Sequence, residues 1–447
     1  MKIKLIFIFS LAITFSIFSQ ENTQSFTLQE AIDFALENNR TAKNAVRDIE
    51  VAEKQKWEAT ASGLPQINGN LEYQNWLKQQ VSLLPGELAG GDPGTFIPVT
   101  FGTKQSVNAN ATLNQLIFDG SYLVGLQAAK VYLVISENSK TKTDLDVRKA
   151  VINAYGNVLL SEESLNIVNN NIVILEKNLD ETTKIYENGL GEEESVEQLQ
   201  ITLTSLKNYR NNVVRLKDLA YKMFNITLGI DLNNNTVLTD NLEVLTLQNI
   251  SLNLLETEDN VENTIDYKIA SNYMETRELL LKLEKNSFLP SLNAFVNAGY
   301  SGYNDAFVFT TNNQKWFGSS LFGVNMSIPI FSSGLRNAST QRARIDVEKA
   351  KEELTETEQQ LKFQIANAKS DYQFAIEEYS NKKENLNLAE RIETKNETKF
   401  FEGIASSFDL RQAQTQLYTA QQEYLQSMFN VIAKKAELET ILNTVNY

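Results

Sequence analysis

Histidine and cysteine are both missing from this sequence of 447 residues. A chain without them can form no disulfide bond, no thiolate or imidazole metal site, no cysteine nucleophile and no triad with a histidine base. Pairs of Asp and Glu remain, but none falls in a recognisable pocket context. We therefore expect no enzyme activity, no cofactor and no bound metal.

Basic residues are outnumbered, since 41 Lys and Arg stand against 56 Asp and Glu and give a formal net charge of −15. Binding to a phosphate backbone needs clustered Lys and Arg that displace counterions. The charge balance predicts that nucleic acid is not a partner.

Proline is rare, with 6 residues where average usage near 5% would give roughly 22. The prolines are Pro65, Pro85, Pro93, Pro98, Pro290 and Pro329. Because proline breaks helix interiors, the proline-free spans 99–289 and 330–447 permit very long helices. The two proline-containing windows instead carry segments of alternating polarity.

The N-terminus has the pattern of an export signal. Lys2 and Lys4 precede an apolar run from Leu5 to Phe18, and the small residue Ser19 follows. The run is too short for a comfortable transmembrane helix, so we predict a signal peptide over residues 1–19.

A heptad seam predicts long helical hairpins. Between Val147 and Leu179, apolar or small residues recur in alternating steps of four and three, as at the a and d positions of a coiled coil. The positions are Val147, Val151, Ala154, Val158, Ser161, Leu165, Val168, Ile172, Leu175 and Leu179. A similar series runs from Ala350 to Tyr379, and each seam precedes a glycine turn and a partner helix.

The predicted helices are 28–61, 121–188, 193–226, 260–285, 336–401 and 407–442. A helix of about 70 residues would be roughly 100 Å long at about 1.5 Å per residue. No compact globular domain has that length, so we expect an elongated arrangement of antiparallel hairpins.

Four segments alternate between apolar and polar residues and predict strands at about 66–75, 105–117, 291–300 and 320–331. Their polar positions hold Asn, Gln, Ser and Thr with almost no charge, and each run approaches the about 9–11 residues of a tilted membrane strand. An amphipathic soluble sheet is the alternative interpretation. The export signal and the long helices favour membrane strands.

The chain also repeats itself. Leu64-Pro65 matches Leu289-Pro290, Ile117-Phe118 matches Ile330-Phe331, and Gly189-Leu190 matches Gly403-Ile404. Each half reads helix, strand, loop, strand, long helix, glycine turn, helix. We predict two repeats, 20–230 and 260–447, joined by a linker over 231–259.

With these features the sequence resembles the TolC-like family of outer-membrane efflux proteins. The resemblance is carried by Thr27–Ala31 with Ala35–Asn39, by Leu116–Gly120, by Ile328–Phe331 and by Gly403–Leu410. It implies a mixed α and β membrane protein in which each chain adds four transmembrane strands to one trimeric twelve-stranded β-barrel. The coiled-coil hairpins would form an α-barrel tunnel in the periplasm.

The resemblance further implies a passive channel of a tripartite efflux or type I secretion system. Its partners would be two further copies of the chain, a periplasmic adaptor, an inner-membrane pump and the lipid of the outer membrane. The residues alone permit a dimer or a trimer, because four strands cannot close a barrel around a water-filled lumen. The choice of three copies comes from the family.

By resemblance, Asp409 matches the first of two aspartates that ring the closed periplasmic entrance, and Gln412 occupies the position of the second. Phe400 and Ala405 stand where the family's gate uses a tyrosine and an arginine, which departs from that pattern. Asp409 is equally explained as an acid in the first turn of a helix, where the macrodipole favours it.

The helix tips carry two further candidate pairs. Gly189 and Gly403 suit the left-handed turn that ends a long helix, and the family implies that these tips, with Leu190 and Ile404, meet the adaptor.

A different class of protein, a secreted or surface coiled-coil structural protein without channel activity, also fits a long chain that is free of cysteine and rich in Asn and Gln. The duplication with two membrane-length hairpins favours the channel.

Overall fold

The computed structural model describes residues 24–256 and 260–444, and the predicted signal peptide lies outside them. The chain divides into two units. The helical unit takes its described residues from 1–44, 143–260 and 363–447, and the sheet unit consists of 45–142 and 261–362. Three helices, α2, α3 and α7 as bounded below, contribute residues to both units.

The helices are α1 (Leu28–Asn38), α2 (Arg40–Ala61), α3 (Gly120–Glu187), α4 (Glu193–Leu228), α5 (Leu242–Gln248), α6 (Ile265–Asn286), α7 (Leu335–Phe401) and α8 (Ser407–Leu442). The strands are β1 (Gln24–Phe26), β2 (Gln66–Asn75), β3 (Val81–Pro85), β4 (Phe96–Thr100), β5 (Gln105–Phe118), β6 (Thr236–Leu238), β7 (Ser291–Asn304) and β8 (Trp316–Ser327). In residues 24–256 and 260–444, no helix has both the length and the apolar character needed to cross a membrane.

The core of the helical unit follows the heptad seam. Val168, Ile172 and Leu175 of α3 form one buried cluster with residues of α4. The α4 members, Leu199, Leu203 and Leu206, repeat the same four-three spacing. Burying these side chains removes apolar surface from water, which stabilises the hairpin in proportion to the area covered.

A polar stripe runs beside this seam on α3. Ser164, Asn171 and Asn178 are seven residues apart and all are buried. The Asn171 amide donates to Gln421 of α8 at 2.7 Å, and the Asn178 amide donates to Glu397 of α7 at 2.7 Å. Because buried polar groups must be paired, these bonds fix the register of α3 against the second hairpin.

The predicted helix over 28–61 is interrupted, because α1 ends at Asn38 and α2 begins at Arg40. The Asn39 side-chain oxygen accepts from the amides of Thr41 and Ala42, as an N-cap does, and its amide donates to the Thr227 carbonyl. Asn39 therefore ends one helix and starts the next.

The segment between the two predicted repeats is folded. Its strand β6 pairs in parallel with β1, and its helix α5 packs on α8. The buried Tyr155 hydroxyl donates to the Asp240 carboxylate at 2.8 Å, and that carboxylate also accepts the Leu28 amide at 2.7 Å. Burial, reinforced by Asp240, raises the pKa of Tyr155, so the hydroxyl stays a hydrogen-bond donor.

The sheet unit is built on an antiparallel sheet in the order β2-β5-β7-β8. The last strand ends at Ser327, two residues before Pro329, which has no amide hydrogen for a ladder. The loop 76–104 contains an additional hairpin of β3 and β4, which alternation did not predict.

Candidate functional site

One face of the four-stranded sheet is apolar. Residues directly opposite in an antiparallel pair share a face, and the register aligns Ile67, Leu113, Val296 and Phe322 in one row. Other apolar residues on this face include Leu71, Tyr73, Val107, Ala109, Ala111, Ala298, Tyr300 and Val324. Its polar members are Gln115 and Ser320, with Asn75, Gln105 and Asn304 at the strand ends. Leu71 is 75% exposed and Phe322 is 69% exposed. A continuous exposed apolar face of this kind is typical of a surface that contacts lipid or another protein.

The opposite face is polar and almost without charge. Its residues include Gln66, Asn68, Asn70, Glu72, Ser106, Asn108, Asn110, Thr112, Asn114, Asn293, Asn297, Ser301 and Ser319. Five residues interrupt the pattern: Leu116, Phe295, Tyr303, Phe317 and Leu321. The Asn297 amide of β7 donates to the Thr112 hydroxyl of the neighbouring strand β5 at 2.7 Å. One sheet therefore separates an apolar side from a hydrogen-bonding side, as a membrane strand facing water does.

Aromatic rings gather where the strands meet their loops. Tyr73 packs edge-on against Phe307 and Phe309, with ring centroids 5.7 and 6.1 Å apart. Phe309 in turn lies 6.4 Å from Trp316 at the start of β8. Tyr73 and Trp316 each combine an apolar ring with a polar O–H or N–H group, which suits the boundary between an apolar layer and water.

Two glycine turns at the helix tips have the same geometry. Gly189 has φ +73° and Gly403 has φ +74°. In the first turn, the amides of Gly189 and Leu190 donate to Tyr186 and Ile185; in the second, those of Gly403 and Ile404 donate to Phe400 and Lys399. Both turns have the paired bonds of a Schellman motif, which requires the left-handed conformation at glycine.

The residue after each glycine is apolar and exposed. Leu190 is 81% exposed and Ile404 is 72% exposed. In a Schellman motif the equivalent residue often packs back on its own helix. These two side chains are instead exposed at the tips.

Asp409 helps to cap the N-terminus of α8. Its carboxylate accepts from the Ser406 backbone at 3.0 Å and from the Ser406 hydroxyl, whose oxygen in turn accepts the Asp409 amide at 3.2 Å. These bonds, with a smaller contribution from the charge of Lys399, lower the pKa of Asp409. The arrangement is a capping box, so the helix-start interpretation explains this side chain within one chain.

The other predicted aperture residues lie close by on the same hairpin. Phe400 packs edge-on against Phe401 with centroids 5.3 Å apart, and the Ala405 amide donates to Lys399. Gln412 is exposed and lines an open groove between α7 and α8 with Ile392 and Phe408.

An acidic pair near this tip, Glu393 and Glu397, was not predicted from the sequence. Glu393 is half-buried on α7, and burial, followed by the charge of Glu397, raises the pKa of Glu393. Tyr418 of α8 packs on the α3–α4 core, and its pKa is raised by burial and then by both glutamates. Among residues 24–256 and 260–444, no group of three or more Asp and Glu is placed to hold a metal ion.

A family model described as outer membrane efflux protein matches residues 31–220 and 272–444. The chain is 20% identical over 359 residues to the outer membrane protein TolC of Escherichia coli (strain K12), which covers 76% of this chain and 71% of TolC. The chain belongs to the outer membrane efflux protein family.

Solved structures show the same fold. The chain superposes on crystal structures of CusC with a TM-score of 0.74 at 17% identity, covering 93% of this chain and 91% of that one. The outer membrane protein VceC from Vibrio cholerae gives 0.72 at 15% identity, with 93% and 95% covered. The CmeC outer membrane channel of Campylobacter jejuni gives 0.71 at 18% identity, with 93% and 85% covered.

Proposed function

We propose that this protein is the outer-membrane channel of a tripartite efflux or type I secretion system in a Gram-negative bacterium. The observation that carries the proposal is the two-faced sheet. Its exposed apolar face suits lipid, and its uncharged amide and hydroxyl face suits a water-filled lumen. Family membership supports an outer-membrane location, with the helical part extending into the periplasm.

The proposal includes a homotrimer. Strands β2 and β8 are the edges of the sheet, and exposed edges are templates for pairing with another chain. Four strands cannot enclose a lumen, whereas three copies would give a twelve-stranded barrel, well above the about eight at which transmembrane barrels begin. The two predicted repeats, 20–230 and 260–447, would each supply one strand hairpin and one helical hairpin.

The helix tips are the proposed docking surface for a periplasmic adaptor that couples the channel to an inner-membrane pump. The equivalent geometry of the Gly189-Leu190 and Gly403-Ile404 turns supports this, since each presents one exposed apolar side chain. The periplasmic aperture would lie at Asp409, with Gln412, Phe400 and Ala405 around it. Three copies of Asp409 would meet near one axis and attract cations.

Two neighbouring substitutions test the two-faced sheet. Leu71→Lys places a charge on the apolar face, and Asn70→Lys places the same charge on the polar face one residue away. Lysine on a lipid-facing position costs about 2–4 kcal/mol at the bilayer midplane. We expect Leu71→Lys to lower the yield of membrane-inserted trimer, and Asn70→Lys to insert like the unaltered protein.

The measurements are light scattering of the detergent-solubilised protein and single-channel conductance in planar bilayers. The unaltered protein should size as a trimer and conduct. A secreted structural coiled coil would give a soluble species without conductance, and equal insertion of the two lysine variants would contradict the assignment of the faces.

A further inference from the structure

One residue of the four-stranded sheet carries charge. Across β2, β5, β7 and β8 of the described chain, Glu72 is the single Asp, Glu, Lys or Arg. The register places it in a row with Asn108, Ser301 and Phe317. The neighbouring row on the same face holds Asn70, Asn110, Gly299 and Ser319.

The Glu72 carboxylate is exposed and is not neutralised by a base. It accepts the side-chain amide of Gln74, two residues along the strand on the same face, at 2.8 Å. Within residues 24–256 and 260–444 it forms no ion pair with Lys or Arg. A carboxylate bonded by one neutral amide has free lone pairs for solvent or a cation.

The loop between β2 and β5 and the loop between β7 and β8 do not offset the charge of Glu72. Loop 76–104 contains Lys78 and Lys104 with Glu87 and Asp92, and the β7–β8 connection contains Asp305 with Lys315. Three positive and three negative residues cancel. Glu72 therefore sets the net charge of the strands and their loops together.

We propose that Glu72 determines the ionic selectivity of the sheet-lined part of the channel and makes it prefer cations. The inference depends on the proposed channel function, in which the polar face lines the lumen. Amide and hydroxyl groups offer both donors and acceptors and give little preference between ions of opposite sign. In a symmetric trimer the carboxylate recurs three times at one level, and like charges at one level raise the local concentration of counter-ions.

Reversal potentials in planar bilayers test the proposal with full-length protein. Glu72→Gln removes the charge with little change in shape, and Glu72→Lys inverts it. We expect the cation-to-anion permeability ratio to fall in the order unaltered, Gln, Lys. The decrease for Glu72→Gln should be about twofold at ~0.01 M salt, where the Debye length is about 30 Å, and should vanish at ~1 M, where it is about 3 Å.

Glu87→Gln is the matched control, because it makes the same change at an exposed loop position outside the four strands. It should alter the ratio less than Glu72→Gln does. Equal effects of the two variants, or an unchanged ratio in both Glu72 variants at low salt, would overturn the proposal. An unaltered protein that does not conduct would instead contradict the channel function. Light scattering confirms that each variant assembles before its current is measured.

Discussion

At the residue scale, the two tip glycines are required by their backbone conformation and not by crowding. A Cβ added at Gly189 or Gly403 would meet no atom within 4 Å, but both residues have positive φ. A side chain in the left-handed region costs roughly 1–2 kcal/mol. Gly189→Ala and Gly403→Ala should therefore each lower the free energy of unfolding by about 1 kcal/mol, measured by thermal denaturation in detergent.

Gly125→Ala provides a control of opposite sign. Gly125 lies inside α3, and a Cβ there also meets no atom within 4 Å. Alanine in a helix interior is favoured over glycine by roughly 0.5–1 kcal/mol, so this variant should be neutral or more stable. Loss of stability in all three variants would show that the positive φ of Gly189 and Gly403 does not explain the cost of alanine at the tips.

These residues also show what sequence can predict at this scale. Gly189 and Gly403 were identifiable because glycine between two long periodic segments has one common use, the left-handed helix end. For α8 the sequence predicted an acid in the first turn at Asp409, and the structure adds the reciprocal bonds between Asp409 and Ser406. The proposed role of Glu72 could not be predicted from the sequence, because it depends on which residues lie opposite Glu72 in neighbouring strands.

At the scale of elements, the heptad seams predicted the long helices and their buried faces, which are confirmed at Val168, Ile172 and Leu175 and their partners on α4. The break at Asn39 was missed because the seam says nothing about one residue whose side chain caps the next helix. The β1–β6 pair was missed for a different reason. Three-residue strands are too short to show a period, and they join positions about 210 residues apart.

The half-buried carboxyl group of Glu393 on α7 leads to a prediction about the pH dependence of stability. Because its folded-state pKa is raised by burial and by Glu397, the folded chain binds this proton more readily than the unfolded chain. Stability therefore rises as pH falls through the folded-state pKa. Glu393→Gln should unfold at a higher temperature than the unaltered protein at neutral pH, and the difference should shrink as pH is lowered.

Glu384→Gln, on an exposed position of the same helix, serves as the control and should leave the pH dependence unchanged. Thermal unfolding followed by circular dichroism over a pH series provides the comparison. A Glu393→Gln variant that keeps the pH dependence of the unaltered protein would locate the responsible carboxyl elsewhere.

At the scale of the whole molecule, the alternation of residues predicted strands but not their order. The structure pairs β5 directly with β7, so the strand hairpins of the two halves lie side by side. That adjacency makes the apolar face continuous, because Leu113 of one half meets Val296 of the other. Sequence periodicity assigns a face within each strand, whereas continuity between strands depends on a register that neither strand encodes alone.

The proposed orientation of the molecule predicts which cysteines can be labelled on intact cells. Leu88, in the loop 76–104, and Asn312, in the β7–β8 connection, are exposed and would face the exterior. Leu190 and Ile404 are exposed at the helix tips and would face the periplasm. The chain has no cysteine of its own, so Leu88→Cys, Asn312→Cys, Leu190→Cys and Ile404→Cys each introduce a single reactive site.

A membrane-impermeant maleimide should label the Leu88→Cys and Asn312→Cys proteins on intact cells, because those loops would lie outside the outer membrane. It should label the two tip variants only after the outer membrane is permeabilised. All four replaced side chains are exposed, so the contrast reports location and not reactivity. Labelling of the tip variants on intact cells, at the rate of the loop variants, would show that the helices do not lie behind the membrane that the sheet is proposed to cross.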